Sequence, residues 1–423
     1  MKTGGGQTPF RRKVPPPVSA SFIPSISQRV QSLAPSGIRR FFDLIATMDD
    51  VISLGVGEPD FTTPWSIREA AIHSLEKGHT HYTSNYGLPE LRRRIGNDFT
   101  RRYDVEYDPA SELLITVGVS QGLDLAMRAI LDPGDEILVP EPSYVSYGPC
   151  VSLTGGVPVP VPTTEEEGFR VTAAHIEARL TPKTKALVLS YPSNPTGAAL
   201  DKRELSEIAA VAAKRNLLIV SDEIYDRLVY DDHVHTCFAS LPGMRERTIH
   251  LGGFSKAYAM TGWRVGYAAA PVSVIEAMMK VHQYTMLSAP TPGQMAALQA
   301  LDSPDDVVDE MVMAYGHRRR LLIKGLAGIG LPCVEPKGAF YAFPSIRATG
   351  MSSEAFAEGL LREEQVAVVP GSAFGQAGEG YIRCCYAVST GEIEEALERI
   401  SRFVRNHASG GKPSHGLSSQ GLA

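Results

Sequence analysis

Several short stretches of this chain hold the residue types needed for carbonyl and acid–base chemistry. Lys256 lies in Gly252-Gly253-Phe254-Ser255-Lys256-Ala257, just after the apolar run Thr248-Ile249-His250-Leu251, and Arg264 follows. An amine at the end of a buried strand is poorly solvated. In that setting lysine loses its proton and attacks a carbonyl. Asp222-Glu223-Ile224-Tyr225 supplies a carboxylate and a phenol after the apolar run 217–221. Ser193-Asn194-Pro195-Thr196-Gly197 supplies a fixed amide after the run 186–190. Gly118-Val119-Ser120 follows the run 113–117. If a helix opens there, its N–H groups, its dipole and the Ser120 hydroxyl make a cradle for an anion such as phosphate. Each stretch alone also reads as ordinary structure: a solvated lysine, a cap, a turn former, a core tyrosine. Their shared position at the ends of apolar runs argues for more, because open α/β sheets bind ligands beyond the carboxyl ends of their strands.

The elements that must position these residues follow from periodicity. The uninterrupted apolar runs at 186–190 and 217–221 read as strands buried on both faces of a mainly parallel sheet, with a helix over 204–215 between them. Further strands are expected at 52–54, 113–117, 136–139, 157–161 and 248–251, and helices at 67–77, 89–103 and from after Ser120 through 131. Pro89 suits the first turn of its helix. Gly55-Val56-Gly57-Glu58-Pro59-Asp60 reads as a turn where backbone approaches a ligand, not as a dinucleotide fingerprint, because the third glycine is missing. After residue 300 the pattern changes to a long helix over 304–328, short strands at 331–334, 339–343, 366–369 and 380–386, and helices over 353–364 and 390–407. Helical spacing also runs from Ile26 to Met48. The expected organisation is a flexible tail over 1–22 and a large domain over 58–299. A small α+β domain is made of 23–57 with 300–407, and a second flexible tail covers 408–423.

Composition narrows the class. The chain has 423 residues, is 43% hydrophobic and 21% charged, and carries a net charge of −6. These values suit a soluble globular protein and give no footprint for nucleic acid or an anionic membrane. No apolar run has the length of a membrane span, and the start lacks the apolar core of a secretory signal. Cys150, Cys237, Cys333, Cys384 and Cys385 are odd in number and widely spaced, which favours a reducing cytoplasm over a disulfide framework or a zinc site. His79/His81 and His233/His235 read as polar loop histidines, and no metal is expected.

A phosphate cradle, an amine, a carboxylate and a phenol together suit pyridoxal 5′-phosphate. Its aldehyde takes a lysine. Its ring nitrogen holds a proton beside a buried carboxylate such as Asp222, its ring oxygen takes Tyr225 and Asn194, and its phosphate takes Arg264.

The segments SYPSNPTGA, VSDEIYDRLVYDD, GGFSKAYAMTGWRVGY, GVGEPDF, HYTSNYGLPELR and GYIRCCYA resemble the class I/II aminotransferases of fold type I, in particular the aspartate and aromatic branch. The resemblance covers about residues 25 to 405. It implies an α/β fold with a mainly parallel seven-stranded sheet flanked by helices, plus the smaller α+β domain. It also implies a homodimer with active sites at the interface, no nucleic-acid or membrane partner, and an amino acid and a 2-oxo acid as substrates in ping-pong order. By resemblance, Lys256 is the Schiff-base lysine and proton shuttle, Asp222 pairs with the ring nitrogen, and Tyr225 completes the catalytic set. Tyr144 stacks on the ring. Val119, Ser120, Ser255 and Arg264 hold the phosphate, and Tyr82 reaches the phosphate of the neighbouring subunit. Arg383 takes the substrate α-carboxylate, aided by Asn194 and the backbone at Gly57.

There are departures from the family pattern. Gly253 stands where many relatives have a serine. Ser120 stands where some aspartate-directed members have a lysine, which disfavours strict aspartate specificity. Phe340, Tyr341 and Ile38 are candidate side-chain contacts that suit an apolar or aromatic substrate, although strand alternation explains the first two equally well. Two alternatives share the motifs. One is a pyridoxal-dependent lyase of the C–S lyase or aminocyclopropane-carboxylate synthase type. The other is a non-enzymatic ligand-sensing domain, which normally follows a DNA-binding module that the short N-terminal stretch does not resemble.

Overall fold

The computed structural model describes residues 26–33, 48 and 50–407. The expected tails, most of the helical pattern at 26–48, and Ile38 lie outside the described residues. The chain divides into two compact units, residues 1–34 and 35–423. In the first, the described stretch holds one short helix, Gln28–Gln31.

The described residues of the second unit contain twelve strands in chain order: β1 (Ile52–Ser53), β2 (Leu113–Thr116), β3 (Glu136–Glu141), β4 (Val157–Pro162), β5 (Thr184–Leu189), β6 (Leu218–Asp222), β7 (Thr248–Gly253), β8 (Gly266–Ala269), β9 (Tyr341–Ala342), β10 (Val366–Ala367), β11 (Val369–Pro370) and β12 (Ile382–Cys385). Seven of them form one sheet in the order β2-β8-β7-β6-β5-β3-β4. Its neighbours pair in parallel except around β8, which runs antiparallel to both β2 and β7.

Alternation along β5 shows why the sheet needs helices on both faces. Ala186 and Val188 pack with Leu123, Met127, Ile275 and Met278, from the helices Gly118–Ile130 and Val272–Thr285. Leu187 and Leu189 point the other way, onto Leu205, Ile208 and Val211 of the helix Lys202–Arg215. Asp201 and Glu204 form a capping box that starts that last helix, and Asn216 ends it in the left-handed conformation.

Beyond the main sheet, β1 pairs with β10, and β11-β12-β9 form a small antiparallel sheet. They share a core with the helices Asp306–Ile329, Ser353–Glu364 and Thr390–His407. Several expectations need correction. Residues 331–337 form no strand. The 366–369 run splits between two sheets, and only Tyr341–Ala342 of 339–343 is strand. The helix expected after Ser120 already begins at Gly118, and Asp222 is the last residue of its strand.

Because β2, β3, β5, β6 and β7 point the same way, their carboxyl ends meet at one edge of the sheet. The segments that leave those ends carry Gly118–Ser120, Tyr144, Asn194, Asp222 and Lys256. No helix among the described residues is long and apolar enough to cross a membrane.

Candidate active site

At that edge lies a cleft of about 480 Å³, within the usual range for small-molecule sites of roughly 300–1,000 Å³. The sheet supplies one side of it: Val119 and Ser120 from the first turn of the helix after β2, Tyr144, Asn194, Asp222, Tyr225, and the Ser255–Lys256 loop with Arg264. The opposite wall is Gly57, Tyr341 and Arg383, from β12 and the loops around β1 and β9. Tyr82 is not in this cleft and is 80% exposed. Phe340 is fully buried behind the wall, edge-on to Tyr225 at 5.4 Å, so of the two expected side-chain contacts Tyr341 lines the cleft and Phe340 does not.

Lys256 donates from Nζ to the Gly57 carbonyl at 2.6 Å. Burial lowers its pKa to about 8. Arg383 and Arg264 push in the same direction, and Cys385 and Glu58 oppose them. The amine is therefore far closer to its nucleophilic form at neutral pH than a solvated lysine. The loop that carries it has left-handed backbone at Ala259 (φ 51°) and Arg264 (φ 54°). Side-chain-bearing residues avoid that region unless the surroundings impose it.

Asp222 Oδ2 accepts from Tyr147 Oη at 2.8 Å, and Oδ1 accepts from the Ile224 N–H at 3.3 Å. Burial raises its carboxyl to about 6, and these two hydrogen bonds work against the rise. A carboxylate in this condition gains most from a cationic partner. Tyr147 was not foreseen as a site residue. Its partner lies far away in sequence, and only its position after Tyr144 in the same aromatic segment pointed to it.

Arg383 is buried, yet its guanidinium is already aimed. Nη1 donates to Asn194 Oδ1 at 2.8 Å, and Nη2 donates to the Gly55 carbonyl at 2.6 Å. The group lies 4.5 Å over the Tyr341 ring, and its Nε has no partner among the described residues. Tyr341 Oη is 2.8 Å from Tyr225 Oη, which links the wall to the sheet edge. A Cβ at Gly57 would lie 2.5 Å from Tyr341 Oη, so only glycine lets the backbone pass there.

At the other end of the cleft, Arg264 is exposed and donates from Nη1 to the Thr261 carbonyl at 3.2 Å. Gly118 has φ 72°, and a Cβ there would lie 2.8 Å from Arg264 Nη2. The open N-terminal turn of a 13-residue helix, beside a guanidinium that makes no ion pair among the described residues, is suited to an anion. The cleft thus has an end suited to an anion, a low-pKa amine and a buried carboxylate in the middle, and a second arginine in the wall. That set suits a phosphate-bearing ring cofactor together with a carboxylate-bearing substrate.

Comparison with known proteins agrees with this arrangement. The family model described as aminotransferase class I and II matches residues 49–400. A Bacillus subtilis relative named provisionally as the aminotransferase YugH is 55% identical over 90% of this chain and 98% of its own length. The aspartate aminotransferase of Pyrococcus abyssi is 48% identical over 90% of this chain and 98% of its own. Among solved structures, the aromatic aminotransferase of Pyrococcus horikoshii superposes with a TM-score of 0.83 at 47% identity, covering 87% of this chain and 99% of its own.

Proposed function

This chain belongs to the class I and II aminotransferases and is an amino-acid aminotransferase, and from that premise we propose that pyridoxal 5′-phosphate is its cofactor, held in the cleft between Lys256, Asp222 and Arg264. The residues fit that group. Gly118 keeps the space beside Arg264 open, Lys256 is an amine with its pKa lowered to about 8, and Asp222 is a buried carboxylate that makes no ion pair among the described residues. The observation that carries the proposal is the meeting of Lys256, Asp222 and Arg383 in one cleft, from three separate parts of the chain. Bound there, the cofactor would supply an aldehyde for the amine and a ring that withdraws electrons.

The chain's own residues do the rest. The Asp222 carboxylate holds a proton on the ring nitrogen, steadied by Tyr147. Tyr225 and Asn194 donate to the ring oxygen, and Tyr144 covers a ring face. Val119, Ser120, Ser255 and Arg264 hold the phosphate. Arg383 takes the substrate α-carboxylate, with Asn194 keeping its fork in place and Gly57 giving backbone room. Lys256 Nζ removes the proton from the substrate Cα and later returns one. The same Arg383 serves the amino acid and the oxo acid in turn, which is the economy of a ping-pong exchange.

The finer features of this reading are the following. The elements of 300–407 with the strand near residue 52 act as a small domain that closes over substrate, because they carry Arg383 and meet the Gly57 loop. Tyr82 completes the site of a second copy, so the working form is a homodimer. Its wide exposure supports this. The free thiols suit the cytoplasm. The donor is an aromatic or other apolar amino acid, with aspartate less favoured, since Ser120 and Tyr341 offer no cation for a side-chain carboxylate. The oxo acid is 2-oxoglutarate. A panel of amino donors, each run with and without 2-oxoglutarate, tests this. Turnover is expected only with the acceptor and fastest for aromatic donors. Ammonia and pyruvate formed without an acceptor would contradict it.

A further inference from the structure

Two consecutive carboxylates are buried at the end of β6. Asp222 lines the cleft, while Glu223 does not and is 3% exposed. Adjacent buried anions repel, and without compensation one of them takes up a proton. The compensation is visible. Glu223 Oε2 is 2.7 Å from His235 Nε2, and Oε1 is 3.3 Å from His250 Nδ1. Oε1 also accepts from the Ser221 hydroxyl at 2.7 Å and the Phe238 N–H at 3.1 Å. Burial alone would raise the Glu223 carboxyl, but the imidazoles overcome it and hold the group well below the usual carboxylate range. His235, expected to be a polar loop residue, does lie in a loop, and its ring pairs with this carboxylate.

The surroundings hold the imidazoles still. The His250 ring stacks on Tyr267 at 6.0 Å and meets the Phe99 edge at 4.8 Å. Among the described residues, the other titratable or charged groups facing the cluster include Cys237, whose Sγ is 3.7 Å from His250 Nδ1, Tyr107, Tyr103, His233 beside His235, and the Arg102–Asp226 pair at 2.7 Å beyond His235. On the cleft side the nearest anion is Asp222, which His250 helps to keep charged and Glu223 works against.

We propose that Glu223, His235 and His250 are positioning residues that act through Asp222. The two imidazoles at 2.7 and 3.3 Å offset the Glu223 charge, so the uncompensated carboxylate at the end of β6 is the one that faces the cofactor site. This rests on the reading of Asp222 as the partner of the cofactor's ring nitrogen.

The test is made on the holoenzyme with His250→Asn, the double variant His250→Asn/Glu223→Gln, and Asp222→Asn beside them. The readouts are the acid-side midpoint of the bound cofactor's absorbance, the kcat profile and KM. His250→Asn leaves Glu223 compensated by His235 alone and removes the imidazole that also acts on Asp222, so the acid midpoint is expected to rise by about half to one pH unit, with KM within about twofold. The double variant removes the anion as well and should bring the midpoint back towards wild type. A purely structural role predicts the opposite order, with the double variant the more disturbed. His235→Gln, at a less buried site, serves if His250→Asn does not fold, with a shift in the same direction and smaller. An unmoved midpoint in the single variant, or a double variant displaced as far as the single, overturns the proposal. If Asp222→Asn keeps near-normal turnover, the reading of Asp222 falls, and this proposal with it. If Asp222→Asn is inactive while His250→Asn leaves the midpoint unmoved, only the role of the cluster falls.

Discussion

The two sides of the cleft are built in different ways. The sheet side hangs from the ends of parallel strands that are buried on both faces, and each functional residue follows its own strand within a few positions. The wall side is assembled from two- to four-residue strands and loops, and it holds together through Arg383 to Asn194 and Gly55, and through Tyr341 to Tyr225. The first is positioned by backbone, the second by side-chain contacts across long sequence separations. On this view the sheet side sets the chemistry for every substrate, and the wall decides which substrate is held and how tightly.

Substitutions on the two sides should therefore separate kcat from KM. The largest effect is expected at Asp222. Asp222→Asn should lower kcat by about 10³-fold with all donors alike. The rise of this buried carboxyl from 3.8 to about 6 means that the cofactor-free fold holds the proton more tightly than the unfolded chain. Its ionisation thus costs stability progressively as pH rises from about 4 to about 6, and the cost levels off at ~3 kcal/mol by neutral pH. Cofactor-free Asp222→Asn should then melt no lower than wild type at pH 7.5, and a lower melt there would show that the carboxylate is structural.

The wall comes next. Arg383→Gln should lower kcat/KM by about 10²-fold for amino acid and oxo acid together, mostly through KM. A loss confined to one co-substrate would break the idea of a shared carboxylate site. Tyr147→Phe returns to the sheet side with a smaller effect. Removing its hydrogen bond should cost about tenfold in kcat. It should also raise the acid limb of the pH profile, because Tyr147 holds the Asp222 carboxyl down. An unchanged acid limb would separate Tyr147 from the chemistry. The smallest effect is expected at the contact between the two sides. Tyr341→Phe keeps the ring under Arg383 and loses the bond to Tyr225, so about a two- to fivefold rise in KM is expected with kcat nearly unchanged. A drop in kcat larger than the rise in KM would mean that the wall takes part in the chemistry.

The same contrast explains what was legible in the sequence. Apolar runs ending in Gly118–Ser120, Asn194, Asp222 and Lys256 announce themselves locally, and so does the parallel sheet that carries them. The antiparallel strand β8 escaped because Gly266-Tyr267-Ala268-Ala269 has little β-branched character and no alternation. The 331–334 stretch looked like a strand because it is mostly apolar, but Pro332 lies inside it, Pro336 follows it, and it finds no ladder. Arg383 was readable through the family pattern, whereas its partner Gly55 and the Tyr341–Tyr225 contact arise only when distant segments meet. The Glu223 cluster was hidden for a related reason. The carboxylate stands beside a more conspicuous one, and one of its partners, His250, sits inside an apolar run.

The central claim is that Lys256 is the amine that carries the cofactor. Borohydride reduction of the holoenzyme followed by peptide mapping tests it directly. The account predicts a single stable pyridoxyl adduct in the peptide containing Gly252–Arg264, on Lys256, with activity lost in step with labelling. An adduct on another lysine, or full activity after complete labelling, would contradict it.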